Sequence, residues 1–128
     1  MFECMSEEEI QYTILECCTT AENKEAAEEI KVVFNDEEVD PPNSGLSGRQ
    51  FHPVPVIFLN ESRWKEVSAQ ERTDAIRKET CWLLACMKMG REVKVDGFEY
   101  RHYAFKVGLI KTRSPNEKAE VEPLINEW

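Results

Sequence analysis

The chain has few of the residues and patterns by which chemistry is usually recognised. Histidine occurs twice, at His52 and His102, and none of the cysteines stands in a CxxC pair of the kind that marks zinc knuckles and dithiol redox sites. No stretch approaches the roughly 18 consecutive apolar residues that a membrane span requires. Met1-Phe2-Glu3-Cys4 carries an acid where a signal peptide would carry positive charge. A cytoplasmic chain without membrane attachment is the expectation. The five cysteines, Cys4, Cys17, Cys18, Cys81 and Cys86, are an odd number and read as buried free thiols in a reducing compartment. The 128 residues, 41% of them hydrophobic, suffice for one domain and one core.

Basic residues are nearly missing from the first third. Residues 1–40 hold thirteen acids against two bases, a net of -11, and residues 41–128 hold twelve against fourteen, a net of +2. An acidic surface cannot release counterions from phosphates, so this third is not expected to bind nucleic acid directly. It suits a basic partner.

Helix signals are clearest at two capping boxes, in which a serine caps a backbone N–H and a glutamate three residues on reciprocates. Ser6 with Glu9 predicts a helix over about residues 6–18, with Ile10, Ile14, Leu15, Cys17 and Cys18 on its apolar side. Thr19 with Glu22 predicts a second helix through Ala26, Ala27 and Ile30, although Ile30 to Phe34 also suits a strand. Asp40-Pro41-Pro42-Asn43-Ser44-Gly45 is the strongest breaker and sets a loop over 40–48. Val54 to Leu59 is rich in strand formers, and Pro53 and Pro55 require that the strand start late or lie at an edge. Ser68 with Glu71 opens a helix of about twenty residues ending at Gly90. Ile76, Thr80, Leu83, Leu84 and Met87 share one side of it, and Trp82 falls on the other with Lys78, Cys81 and Ala85. Such a helix either packs on both sides or presents an aromatic ring to a cleft.

The run Pro55-Val56-Ile57-Phe58-Leu59-Asn60, the capped helix carrying Lys78-Glu79-Thr80-Cys81-Trp82, and the segment Arg101-His102-Tyr103-Ala104-Phe105-Lys106 resemble, in order and spacing, the SprT-like zinc metallopeptidases. In that family a strand ending in Leu-Asn precedes a helix bearing HExxH, and an HGxxFK-like segment brings the third histidine. The resemblance spans about residues 50–110 and implies an α+β domain of zincin-like arrangement, a small sheet packed against two or three helices. Carried over by position, the first histidine falls on Lys78, the general-base glutamate on Glu79, the second histidine on Trp82 and the third on Arg101. Only the glutamate matches.

HExxH works because two imidazoles one turn apart grip zinc at about 2.0–2.1 Å while the glutamate takes a proton from the metal-bound water. Two cations and an indole cannot replace them. The resemblance therefore implies a degenerate centre with no metal and no cofactor; a shifted site using Glu79, Cys81, Asp96 and His102 has nothing in its spacing to recommend it. If the family fold holds, Lys78, Trp82 and Arg101 converge where the metal would sit, either as a cation–π plug or as a pocket anchored by Trp82. Glu79 then serves as partner to a cation, supplied by Lys78 or Arg101.

Val93-Lys94-Val95-Asp96-Gly97-Phe98-Glu99-Tyr100 alternates apolar and polar residues around Asp-Gly, which predicts a hairpin. The resemblance implies a loop entering a helix near Tyr103 to Leu109; a short hairpin ending near Tyr100 reconciles the two. Residues 113–128 read as a weakly structured surface segment, with Leu124, Ile125 and Trp128 available for docking.

Three functions compete on these grounds. The first is a pseudo-metallopeptidase acting as a protein-binding inhibitor or adaptor. The second is a nucleic-acid mimic of the kind used as counter-defence by phages and mobile elements, in which Glu7, Glu8, Glu9, Glu16, Glu22, Glu25, Glu28, Glu29, Asp36, Glu37, Glu38 and Asp40 stand in for phosphates on a basic nucleic-acid-binding enzyme. The third is a metal-dependent hydrolase with unrecognised ligands.

Overall fold

The computed structural model describes residues 7–18, 20–39, 45–94, 97, 99–101 and 104. Its elements run α1 (Glu7–Glu16), α2 (Ala21–Ala27), β1 (Lys31–Phe34), β2 (Ser47–Gln50), β3 (Val56–Leu59), α3 (Glu61–Glu66) and α4 (Ala69–Met89). Glu99, Tyr100, Arg101 and Ala104 are also helical. The class is α+β, with a three-stranded sheet and several helices, as the sequence led us to expect.

α4 organises the molecule. Ser68 caps it, accepting a hydrogen bond from the Glu71 N–H at 3.2 Å, and Gly90 ends it at φ 72°, a left-handed conformation open to glycine at no steric cost. From Glu79 to Cys86 every residue is buried, so the helix packs on both sides. The sheet lies along one flank and α1 and α2 along another.

Strand order is β1-β3-β2, with β1 parallel and β2 antiparallel to β3. β3 begins just after Pro55, where its missing N–H ceases to matter; it starts late but occupies the centre of the sheet. The register aligns Val32, Ile57 and Arg49, and likewise Phe34, Leu59 and Ser47, on the helix-facing side. Ile57 and Leu59 enter one core with Ile14, Trp64, Ile76, Leu83 and Leu84. On the opposite side the Glu38–Val39 backbone crosses Gly48 so closely that a Cβ there would collide with the Glu38 carbonyl oxygen.

Several expectations are corrected. β2 begins at Ser47, inside the stretch assigned to loop, because β3 recruits Ser-Gly-Arg-Gln as its second neighbour although these residues have little strand preference. The cap of α2 is Thr20, one place after Thr19, and α2 stops at Ala27, so the acidic third holds a strand and the turn after it and is not helical throughout. α3 was not foreseen: Asn60 Oδ1 accepts from the Arg63 N–H at 3.1 Å and caps a helix of 6 residues. Among the described residues of 93–100 none is a strand: Val93 and Lys94 are irregular, and Glu99 and Tyr100, placed in the expected hairpin, are helical. Gly97 N–H donates to the Lys94 carbonyl at 3.0 Å, making a turn, and Arg101 N–H donates to the Gly97 carbonyl at 2.9 Å, starting a helix. Val93 faces the core, and its carbonyl is taken by a side chain instead of a strand. Ser6, Thr19, Asp40 and the expected segments over 105–109 and 113–128 lie outside the described residues.

Candidate functional site

The resemblance directs attention to Glu79. Its side chain is 2% exposed and turns toward β2. Strand alternation projects Ser47 and Arg49 onto one face, and helical periodicity sets Glu79 and Trp82 one turn apart, so the two pairs meet as matched ladders. Ser47 Oγ donates to Glu79 Oε2 at 2.7 Å, and Arg49 Nη1 lies 3.8 Å from Oε1. The Arg49 guanidinium sits over the Trp82 ring, 4.8 Å from its centroid. Trp82 in turn donates its indole N–H to the Val93 carbonyl at 2.8 Å. Each member is thereby held by another element: helix to strand, strand to indole, and indole to the segment after α4.

Chemically this arrangement neutralises a buried carboxylate. Burying an unpaired carboxylate is costly, and a hydroxyl donor plus a guanidinium offsets that cost. The cation over Trp82 is Arg49. Lys78 instead faces solvent, beside a groove of about 290 Å³ lined by Leu46, Ser47, Glu71, Asp74 and Ala75. The cation–π contact is made by Arg49 and not by Lys78, which stands about 100° around the helix from Glu79. Arg101 is half-buried in the helical turn that follows Gly97.

Among the described residues no three His, Cys, Asp or Glu side chains group so as to hold a metal ion. Cys81 is fully buried beside Cys17, and His52 is exposed; Asp96 and His102 lie outside the described residues. The thiols belong to the core. Burial pushes Cys18 and Cys86 up to about 11. A hydrogen bond between Cys17 and Cys81, with Arg77 nearby, holds Cys17 below and drives Cys81 well above the ordinary thiol value.

The acidic candidates divide among three places. Glu7 begins α1, and Glu8, Glu9 and Glu16 follow on it, the last three exposed. Glu22, Glu25, Glu28 and Glu29 surround a shallow depression of about 470 Å³ on α2 and its C-terminal turn. Asp36, Glu37 and Glu38 occupy the turn after β1, where Asp36 Oδ1 accepts from the Glu61 N–H at 2.9 Å and anchors α3. No family model matches the chain, and neither the curated proteins nor the solved structures supply a match. Sequence reasoning missed Ser47 and Arg49. The available signal was a polar pair at i, i+2 around a glycine, which reads as loop until a buried glutamate is known to need a cation.

Proposed function

We propose that this chain is a non-catalytic cytoplasmic domain of SprT-like, zincin-like arrangement, a pseudo-metallopeptidase that binds another protein as inhibitor or adaptor. The observation that carries the reading is the engagement of Glu79: one carboxylate oxygen accepts from Ser47 and the other faces Arg49, which is stacked on Trp82. A general base must reach the proton it removes, and this carboxylate is already committed to protein donors. The strand ending in Leu59-Asn60, the helix with Glu79 and the segment at Arg101 follow one another in the order that the resemblance calls for, although Asn60 is explained locally as the cap of α3.

For the partner, the support is the exposed carboxylate surface of α2 and its C-terminal turn, where Glu22, Glu25, Glu28 and Glu29 meet solvent with Lys24 as the basic residue of that helix. A protein with a basic groove, such as a nucleic-acid-binding enzyme, would meet carboxylates in place of phosphates. The test is capture of the partner from the natural host, repeated with Glu22→Lys and Glu25→Lys together and at rising salt. We expect the double variant and high salt each to abolish capture. Undiminished capture under both conditions would remove the mimic; one equivalent of zinc in the purified protein would replace the whole reading with a hydrolase.

A further inference from the structure

Among the described residues β1 lies at an edge of the sheet. In a parallel pair alternate residues point their N–H and C=O groups to opposite sides, and Lys31 and Asn35 donate inward, to the Pro55 carbonyl at 3.0 Å and the Leu59 carbonyl at 2.9 Å. Val32 and Phe34 therefore turn their backbone groups outward, and among the described residues no strand pairs with that edge. The edge carries exposed apolar surface, with Val33 at 42% and Phe34 at 45%. A groove of about 430 Å³ runs beside it, walled by β1, Ile30 and, from α1, Ile10 and Gln11. An unpaired, apolar edge next to a groove is a template for strand addition.

The charges around the edge select the occupant. Glu28 and Glu29 precede the strand, Asp36, Glu37 and Glu38 follow it, and Lys31 is the one base in the run from 28 to 38. Glu29 and Asp36 sit in the turns on either side of β1, at most about 23 Å apart if the chain between them were fully extended, so the two acidic groups lie within the reach of an extended segment of up to about eight residues. A second copy of this chain fits poorly, since antiparallel β1–β1 pairing would bring the acids before one strand against those after the other.

We propose that β1 accepts an extended segment of another protein by strand addition, the segment having alternating apolar side chains and Lys or Arg at both ends. The inference rests on the protein-binding reading above and names the partner's docking element.

The test uses the full chain and synthetic octapeptides with a Val-Thr-Val-Thr centre, flanked at each end by Lys-Arg, Ser-Ser or Glu-Glu. Binding is read by anisotropy, and amide hydrogen exchange is followed at Val32 and Phe34. We expect the Lys-Arg peptide to bind and slow both amides, and the Glu-Glu peptide to leave them unchanged. Phe34→Pro removes an outward N–H and should weaken binding about tenfold or more, whereas Phe34→Ala keeps that N–H and should weaken it less. N-methylation of the two Val or the two Thr amides probes the same bonds without altering the protein. One set should abolish binding and the other should not, because only one edge of the peptide faces β1. Failure of all peptides, equal binding by the Glu-Glu peptide, equal effects of both methylated sets, or slow exchange at Val32 and Phe34 in the isolated protein, whether from its own chain or from a second copy, would each overturn the proposal. The peptide result reports on the edge alone: partner capture through Glu22 and Glu25 stands or falls separately.

Discussion

Arg49 and Trp82, 33 positions apart in the chain, are joined by a guanidinium lying 4.8 Å from the indole centroid, with the same guanidinium reaching Glu79 at 3.8 Å. The contact couples β2 to α4 through one planar cation. A lysine would provide charge but not the flat surface that covers the ring. Arg49→Ala is expected to destabilise the fold by about 1–3 kcal/mol, since it uncovers Trp82 and leaves Glu79 with Ser47 alone; the side chain is 21% exposed, which keeps the loss below that of a fully buried pair. Arg49→Lys should recover part of it. Urea denaturation of the two variants beside the parent, with tryptophan emission as reporter, checks the order; equal stability of all three proteins would contradict it.

Glu79→Gln separates a structural carboxylate from a catalytic one. Glutamine keeps the size and an acceptor for Ser47 but loses the charge that faces Arg49, so a cost of about 1–3 kcal/mol is expected in stability. Partner capture should persist in the folded variant. A correctly folded Glu79→Gln protein that loses biological activity without losing stability would point to catalysis.

Gly48→Ala tests the close packing of the 38–39 backbone on the sheet. The added Cβ would strike the Glu38 carbonyl oxygen and come within 3.0 Å of the Val39 Cα, and backbone has little room to yield. Overpacking of this kind costs about 1–3 kcal/mol, and the melting temperature should fall accordingly.

Alkali should weaken the fold through its thiols. Cys18 and Cys86 titrate at about 11 in the folded chain against an ordinary value of 9.0, so the native state holds their protons more tightly. Their contribution is complete below pH 9 and is lost as pH rises from about 9 to about 11. Denaturant midpoints measured across that window should fall less steeply in Cys86→Ala than in the parent protein.

Chelator should leave melting unchanged, and elemental analysis should find no stoichiometric zinc, because a site whose metal stabilises the fold would make melting depend on it. A drop in melting temperature on adding chelator would bring back the hydrolase reading with its ligands to be found.

Much of the fold was legible because its signals are local. The Ser68 cap, the Gly90 stop and the late start of β3 after Pro55 each depend on hydrogen bonds or sterics within a few residues. Burial on both sides of α4 was one of two outcomes that the position of Trp82 allowed, and the structure chose it. The cysteine reading also holds at Cys17, Cys18, Cys81 and Cys86, which are buried thiols not joined in disulfides. Around the Asp-Gly signal the described residues show Gly97 N–H bonded to the Lys94 carbonyl and a helix from Glu99, with Val93 and Tyr100 both buried; Asp96 lies outside the described residues.

From its residues alone the chain declared an acidic first third, a long central helix and a lone glutamate at a position where the resemblance called for two metal ligands beside it. Which cation answers that glutamate was settled only in three dimensions. Lys78 and Arg101 were the natural choices by position, but helical geometry turns Lys78 to solvent and the strand register brings Arg49 onto the face that Glu79 and Trp82 share. Ser47 to Gln50 has too little intrinsic strand preference to announce itself. It becomes a strand because β3, buried at the centre of the sheet, needs hydrogen-bond partners along both of its edges.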